Sequence, residues 1–264
     1  MAASWLDLLA AAAGGGLFSK VVDRVWSAIA QRRRSGKSAR ALLSRHLDPI
    51  LKTADELYGK LRSLAVEDFV SLGHYIEVDT DSDVEKQVEL ANLMYLFARF
   101  WARLAILRKE GVFVELSAQH QGRKLLGFMK TLESRRVRIV ERSFERLMGE
   151  SVLRLRRTYW DTLTFGEFTE LYWAEGTLRR WFEPLEYLFA DAGSPSVRQA
   201  VLRYGVVLHA FLDTLDPKHR VTNARPGYGN KLTKKTRRDL HYRVFQVYLP
   251  FVKHPDAYLG EASG

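Results

Sequence analysis

The 264-residue chain contains no cysteine. That excludes disulfides, thiolate nucleophiles, cysteine zinc sites and cysteine-ligated iron–sulfur clusters together. It also fits a reducing compartment, so a cytoplasmic location is expected. Proline is scarce, at seven residues, and runs of alternating polar and apolar residues are nearly missing. Both absences argue against a sheet-rich fold with many turns. Acidic residues are the minority, 31 against 41 lysines and arginines, for a net charge of +10. With 47% hydrophobic and 27% charged residues, the composition is that of a globular chain and excludes a largely disordered one.

The N-terminal segment lacks the marks of a signal peptide or a clean membrane span. No basic residue precedes Lys20, whereas a secretory signal places positive charge ahead of its apolar stretch. The longest uncharged run in the first 31 residues, Leu8 to Ser19, has 12 residues and contains Gly14, Gly15 and Gly16. A spanning helix needs about 20 mostly apolar residues. Beyond the glycines, Leu17, Phe18, Val21, Val22, Val25, Trp26 and Ile29 recur in steps of three and four and form one apolar stripe on a helix. A polybasic run with Arg32, Arg33, Arg34 and Lys37 follows directly, and no acid occurs between Asp23 and Asp48. Such a helix suits an anionic membrane surface: the seven apolar residues would face the membrane and the four cations its headgroups, each worth ~1 kcal/mol. The same pattern fits a helix docked on its own protein with a solvated linker after it. A degenerate span, N-terminally anchoring the chain, is a third reading, opposed by Asp7, Lys20, Asp23 and Arg24. The organisation expected is an amphipathic, polybasic appendage over 1–36 and a single helical domain with a basic C-terminal region over 37–264.

In the body of the chain, helical periods dominate and predict an all-α, multi-helix, bundle-like domain. Asp48-Pro49 reads as a helix start, the aspartate capping and the proline occupying the first turn. That helix would run on Ile50, Leu51, Ala54, Leu57, Tyr58, Leu61, Leu64 and Ala65 to about Phe69. After a polar connection, a helix from about residue 84 is apolar over much of its circumference from Leu90 to Leu107 and should be the central one. Residues 112–116 read as a short extended piece or the start of the next turn. Basic helices are expected near 119–133 and 137–153, aromatic-rich ones over FGEFTELYW and TLRRWFEPLEYLFAD, and another from Ser194-Pro195 to about Leu215. TNARPGYGN reads as a loop, followed by a basic helix over KLTKKTRRDLHYRVF and an irregular tail.

Two segments carry a resemblance. HLDPILKTADELYGKLRSLAVEDF at 46–69 and NLMYLFARFWARLAILRKEGVFVEL at 92–116 resemble the opening of a group of helical bacterial proteins, mostly actinobacterial, with no assigned activity. The matching elements are Leu47, Pro49, Ile50, Leu51, Glu56 and Leu57, then Met94, Tyr95, Phe97, Ala98 and Phe100 with Ile106, Leu107 and Arg108. The aromatic segment FGEFTELY to LFAD is similar to a later part of that group, whereas Tyr58, Gly59 and the extended basic C-terminal region depart from it. The resemblance implies an all-helical fold and no reaction, cofactor or catalytic residue.

Catalytic and metal signatures are missing too. The alternating carboxylates Glu77, Asp79, Asp81, Asp83 and Glu85 have Val84 and Leu90 where a calcium loop starting at Asp79 needs glycine and glutamate. No HExxH spacing, GxSxG elbow or GxxxxGK[ST] loop occurs. His209 precedes Asp213 by four residues, the spacing of a base with its orienting acid, but a core histidine fits the apolar context better. The expectation is therefore no catalytic residue, no metal and no cofactor. The aromatic cluster from Tyr159 to Phe189 reads as core, with a ligand pocket or partner groove as its functional alternative.

The basic segments carry more. Residues 123–157 have a net charge of +7 and residues 218–243 one of +8. Lys234, Lys235, Arg237 and Arg238 form a cationic helix stripe able to neutralise phosphates, with Tyr228, Tyr242 and Tyr248 close by in sequence to stack on bases. The first expectation is a non-enzymatic adaptor or scaffold at an anionic membrane surface, with a protein partner the sequence does not identify. The alternative is a basic nucleic-acid-binding accessory protein.

Overall fold

The computed structural model describes residues 17–70, 72, 84–111, 113–174 and 176–260; the side chains of residues 17–40, Leu42 and Thr177 lie outside that description. The order is α1 (Leu17–Val66), α2 (Val84–Lys109), α3 (Phe113–Ser117), α4 (His120–Leu132), α5 (Arg142–Ser151), β1 (Leu153–Arg156), β2 (Tyr159–Thr162), α6 (Phe165–Ala174), α7 (Gly176–Ala190) and α8 (Pro195–Leu215). A 3-10 turn (Gly229–Lys231), α9 (Lys234–Leu240), a π-helical turn (His241–Phe245), α10 (Gln246–Tyr248) and α11 (Asp256–Leu259) complete it. The fold is all-α with one short hairpin.

The most apolar helix is the central one. From Leu90 to Leu107, α2 buries every residue except Asn92, Arg99 and Arg103. Among the described residues it is the one helix long and apolar enough to cross a membrane, and 83% of its apolar window is buried inside the fold. Helices α1, α5, α6 and α7 and strand β2 pack around it. Helix α5 comes closest because of Gly149: a Cβ there would lie 2.9 Å from the Trp101 carbonyl carbon. Aromatic rings knit α2 to the later helices, with Phe97 in contact with Trp101, Phe189 and Tyr204 at centroid distances of 5.2–5.8 Å. Of the aromatic cluster, Phe168, Tyr172, Phe182 and Phe189 are fully buried and Phe165, Trp173 and Trp181 pack partly buried against the core, whereas Tyr159 and Tyr187 are exposed.

The structure corrects the reading of Asp48-Pro49 as a helix start. Helical backbone continues from Leu17 through residues 36, 37 and Pro49 to Val66. A proline inside a helix removes one backbone bond and crowds the carbonyl four residues earlier, here that of Arg45. Packing on both sides outweighs this: Leu43 and Leu47 before the proline, and Ile50, Leu51, Ala54 and Leu57 after it, are all buried. Arg45 lies on the exposed side, where solvent can bond the freed carbonyl. Pro49→Ala should therefore stabilise the protein by roughly 1–3 kcal/mol in urea melts; an unchanged midpoint would mean the helix does not continue through residue 49.

The hairpin also departs from the sequence reading. Leu153, Arg154, Leu155 and Arg156 pair antiparallel with Thr162, Asp161, Trp160 and Tyr159. The tight connection is made without glycine, because Arg157 itself adopts φ +50°. Residues 113–117, open between strand and helix in the sequence, form a helical turn.

Candidate nucleic-acid interface

The two basic segments fold against each other. The larger cavity, about 840 Å³, is lined by seven cations: Arg108, Lys130, Arg135, Arg136, Arg142, Arg146 and Arg203. Five of them, Lys130, Arg135, Arg136, Arg142 and Arg146, are exposed and form its rim. The half-buried Phe113, Leu126 and Tyr248 and the buried Met129 add apolar and aromatic lining. Glu133 is the one acid in this lining among the described residues. It is almost fully buried and accepts from Arg108 and, at 2.7 Å, from Arg142. Burial pulls the Arg108 and Arg203 guanidiniums below their ordinary range.

A second groove, about 560 Å³, is lined by Lys234, Lys235, Arg238, Asp239, Tyr242 and Arg243. Thr233 starts its helix, accepting from the Thr236 N–H at 3.2 Å, so the cations begin in the first turn. The helix then widens into the π-turn carrying Tyr242 and Arg243, a distortion frequent at functional sites. His241, in the same turn, is held by Asp256 at 2.9 Å.

Asp239 joins the two grooves. Its carboxylate lies 3.8 Å from Arg136 and 3.9 Å from Arg203, both lining the first cavity, and 3.2 Å from Arg243 in the second. Arg203 also donates to the Arg136 carbonyl at 2.8 Å. The segment 130–146, helix α8 and the segment 234–243 thus present one cationic surface.

The sequence candidates separate accordingly. Lys234, Lys235 and Arg238 share the second groove, whereas Arg237 donates to the Asn230 carbonyl at 3.3 Å and is absent from the lining. Tyr242 is 57% exposed and Tyr248 half-buried, each in a groove. Tyr228 is buried instead, its hydroxyl against Gly205, where an added Cβ would lie 1.5 Å from Oη. Arg32, Arg33, Arg34 and Lys37, and the stripe Leu17, Phe18, Val21, Val22, Val25, Trp26 and Ile29, lie within helical backbone but outside the described side chains. The carboxylates from Glu77 to Asp83 lie outside the described residues altogether. Arg108, Arg203 and Phe113 escaped the sequence reading as site residues because each lies outside the two basic segments and reaches the cavity only through tertiary packing.

No catalytic constellation lines either groove among the described residues. His209 stacks on Tyr58 at 4.7 Å, lies 3.6 Å from Asp213 and is pushed below its ordinary pKa by burial. Among the described residues no cluster of histidines and carboxylates is arranged to hold a metal ion. Chemically, the grooves can accept several phosphate or carboxylate oxygens at once, beside aromatic rings.

One acid behind the first cavity has a pH consequence. Glu145 on α5 is buried, which pushes its carboxyl up to about 7 against the opposing pull of Arg108, Arg142, Arg138 and Arg146. Between the unfolded and folded values the native state holds a proton that the unfolded chain has lost. Stability from this group is therefore present below pH about 4.5 and falls as pH rises to about 7. Glu145→Gln removes that dependence, so its stability relative to the parent should rise by on the order of 3 kcal/mol between pH 4.5 and 7.5. Urea melts at both pH values check this; a constant difference would mean that Glu145 is ionised in the folded protein.

Compared with known proteins, the chain matches no family model, no curated protein and no solved structure.

Proposed function

We propose that the protein binds nucleic acid without catalysing a reaction, through the two basic grooves, as a cytoplasmic accessory factor. The observation that carries this reading is the shared Asp239 carboxylate, which draws Arg136, Arg203 and Arg243 together and makes two separate basic segments one surface. Phosphate oxygens are the anions such a surface neutralises, and release of their counterions supplies the affinity. The larger cavity, lined by residues of several elements, favours a ligand that enters it over a flat bilayer.

A second reading rests on the amphipathic period of Leu17 to Ile29 beside Arg32–Lys37: a scaffold held at an anionic membrane. Titrating the full chain against a labelled oligonucleotide and against phosphatidylglycerol vesicles, from 50 to 200 mM salt, tests the two. The nucleic-acid reading expects oligonucleotide binding whose log K falls linearly with log salt. Vesicle binding with no oligonucleotide binding would replace it.

Asp239 is the acid a phosphate must approach. Asp239→Asn should therefore raise oligonucleotide affinity by about 3- to 10-fold at low salt, an effect that fades as salt rises. Weaker binding would mean that Asp239 positions its three arginines for the ligand rather than opposing it.

A further inference from the structure

We infer that the nucleic acid taken by these grooves is single-stranded, with bases laid on Tyr248 and Phe113 in the first groove and on Tyr242 in the second. The inference rests on the nucleic-acid reading and narrows its ligand. Three observations carry it. The first is composition: the larger cavity sets the half-buried rings of Phe113 and Tyr248 among seven cations, five of them exposed. Cations for the phosphates beside rings for the base faces is the division of labour of single-strand binding. A duplex hides its base faces in its own stack and offers only base edges, so the rings would have no partner.

The second is the sense of the concavity. Duplex recognition inserts a protein helix or ribbon into a groove of the nucleic acid. Here the concave partner is the protein, with an open cavity of about 840 Å³. A flexible single strand can be splayed into such a space, whereas a stiff duplex cannot.

The third is repetition. The second groove again sets an exposed ring, Tyr242, among Lys234, Lys235, Arg238 and Arg243. A lone small anion would use one cavity. Two cavities that each set a tyrosine among cations, joined through Asp239, suit a polymer whose unit repeats phosphate and ring.

The test uses the full chain, a labelled oligothymidine, the same strand annealed to its complement, inorganic polyphosphate and phosphatidylglycerol vesicles. Oligothymidine should bind at least about tenfold more tightly than the duplex. Tyr242→Ala and Tyr248→Ala should each weaken oligothymidine by about 5- to 100-fold while leaving polyphosphate affinity unchanged. Tyr248→Phe should retain binding. Tyr242 is more than half exposed, so its variant is expected to fold, and it reports alone should Tyr248→Ala be unstable. Duplex binding equal to or tighter than single-strand binding, or tyrosine variants without effect, overturns the single-strand inference and leaves the broader nucleic-acid reading standing. Binding to vesicles alone overturns both.

Discussion

Exchanging Lys130, Arg135, Arg136 and Arg146 for glutamine should lower oligonucleotide affinity on the order of a hundredfold or more near 50 mM salt and flatten its salt dependence. Each phosphate contact to a single strand contributes about 0.7 to the slope of log K against log salt, so four lost contacts remove nearly 3 from it. All four side chains are exposed on the rim, and the substitutions leave Glu133 with its partners Arg108 and Arg142. The fold should survive. A matched variant in which Lys52, Arg180, Lys218 and Lys253 become glutamine removes four exposed cations absent from either groove lining. It changes the long-range field but no contact, so its affinity should fall only a few-fold. Equal losses in the two variants, read by fluorescence anisotropy, would show that net charge rather than the grooves drives binding.

The parts of this site differ in how visible they are in the sequence. Lys234, Lys235 and Arg238 stand within five residues of one another, so helical spacing alone puts them on one face. Arg237 belongs to the same run, but the helix turns it toward the Asn230 carbonyl, a contact no periodicity reveals. Arg203 is harder still: it sits in the apolar helix α8, and only tertiary packing carries it to Arg136 and Asp239. The tyrosines make the same point, since Tyr228, Tyr242 and Tyr248 all lie within or beside the basic C-terminal segment. Gly205, more than twenty residues earlier, decides that Tyr228 is core by leaving room for its hydroxyl.

The fold divides in a similar way. Helix α2 was legible because its residues are apolar nearly all round, a pattern that only burial on every side explains. The start of α8 was legible because Ser194-Pro195 is a local signal, and the helix does begin at Pro195. Pro49 misled because the same residue that opens a helix elsewhere is here carried through one, and the buried leucines that decide this act across the fold. The hairpin was hidden by its connection, in which an arginine takes the left-handed conformation that glycine or asparagine usually marks.

Trp101→Ala should be more destabilising than any other substitution proposed for this protein, at about 3–5 kcal/mol. The side chain is 2% exposed at the middle of α2, beneath Gly149 of α5 and against Phe97. Its indole N–H donates to the Tyr204 hydroxyl at 3.1 Å, itself fully buried. Truncation leaves a cavity and an orphaned hydroxyl in one step. At roughly 2–4 °C per kcal/mol for a chain of this size, the melting temperature should fall by about 10–15 °C. The two contributions can be separated. Trp101→Phe keeps most of the volume but cannot donate, so it should cost about 1–3 kcal/mol. Adding Tyr204→Phe to it removes the unpaired hydroxyl and should recover part of that loss, because neither buried group then lacks a partner. An unchanged midpoint for Trp101→Ala would remove α2 from the centre of the fold. Equal losses for Trp101→Ala and Trp101→Phe would instead assign the whole effect to the hydrogen bond and none to packing.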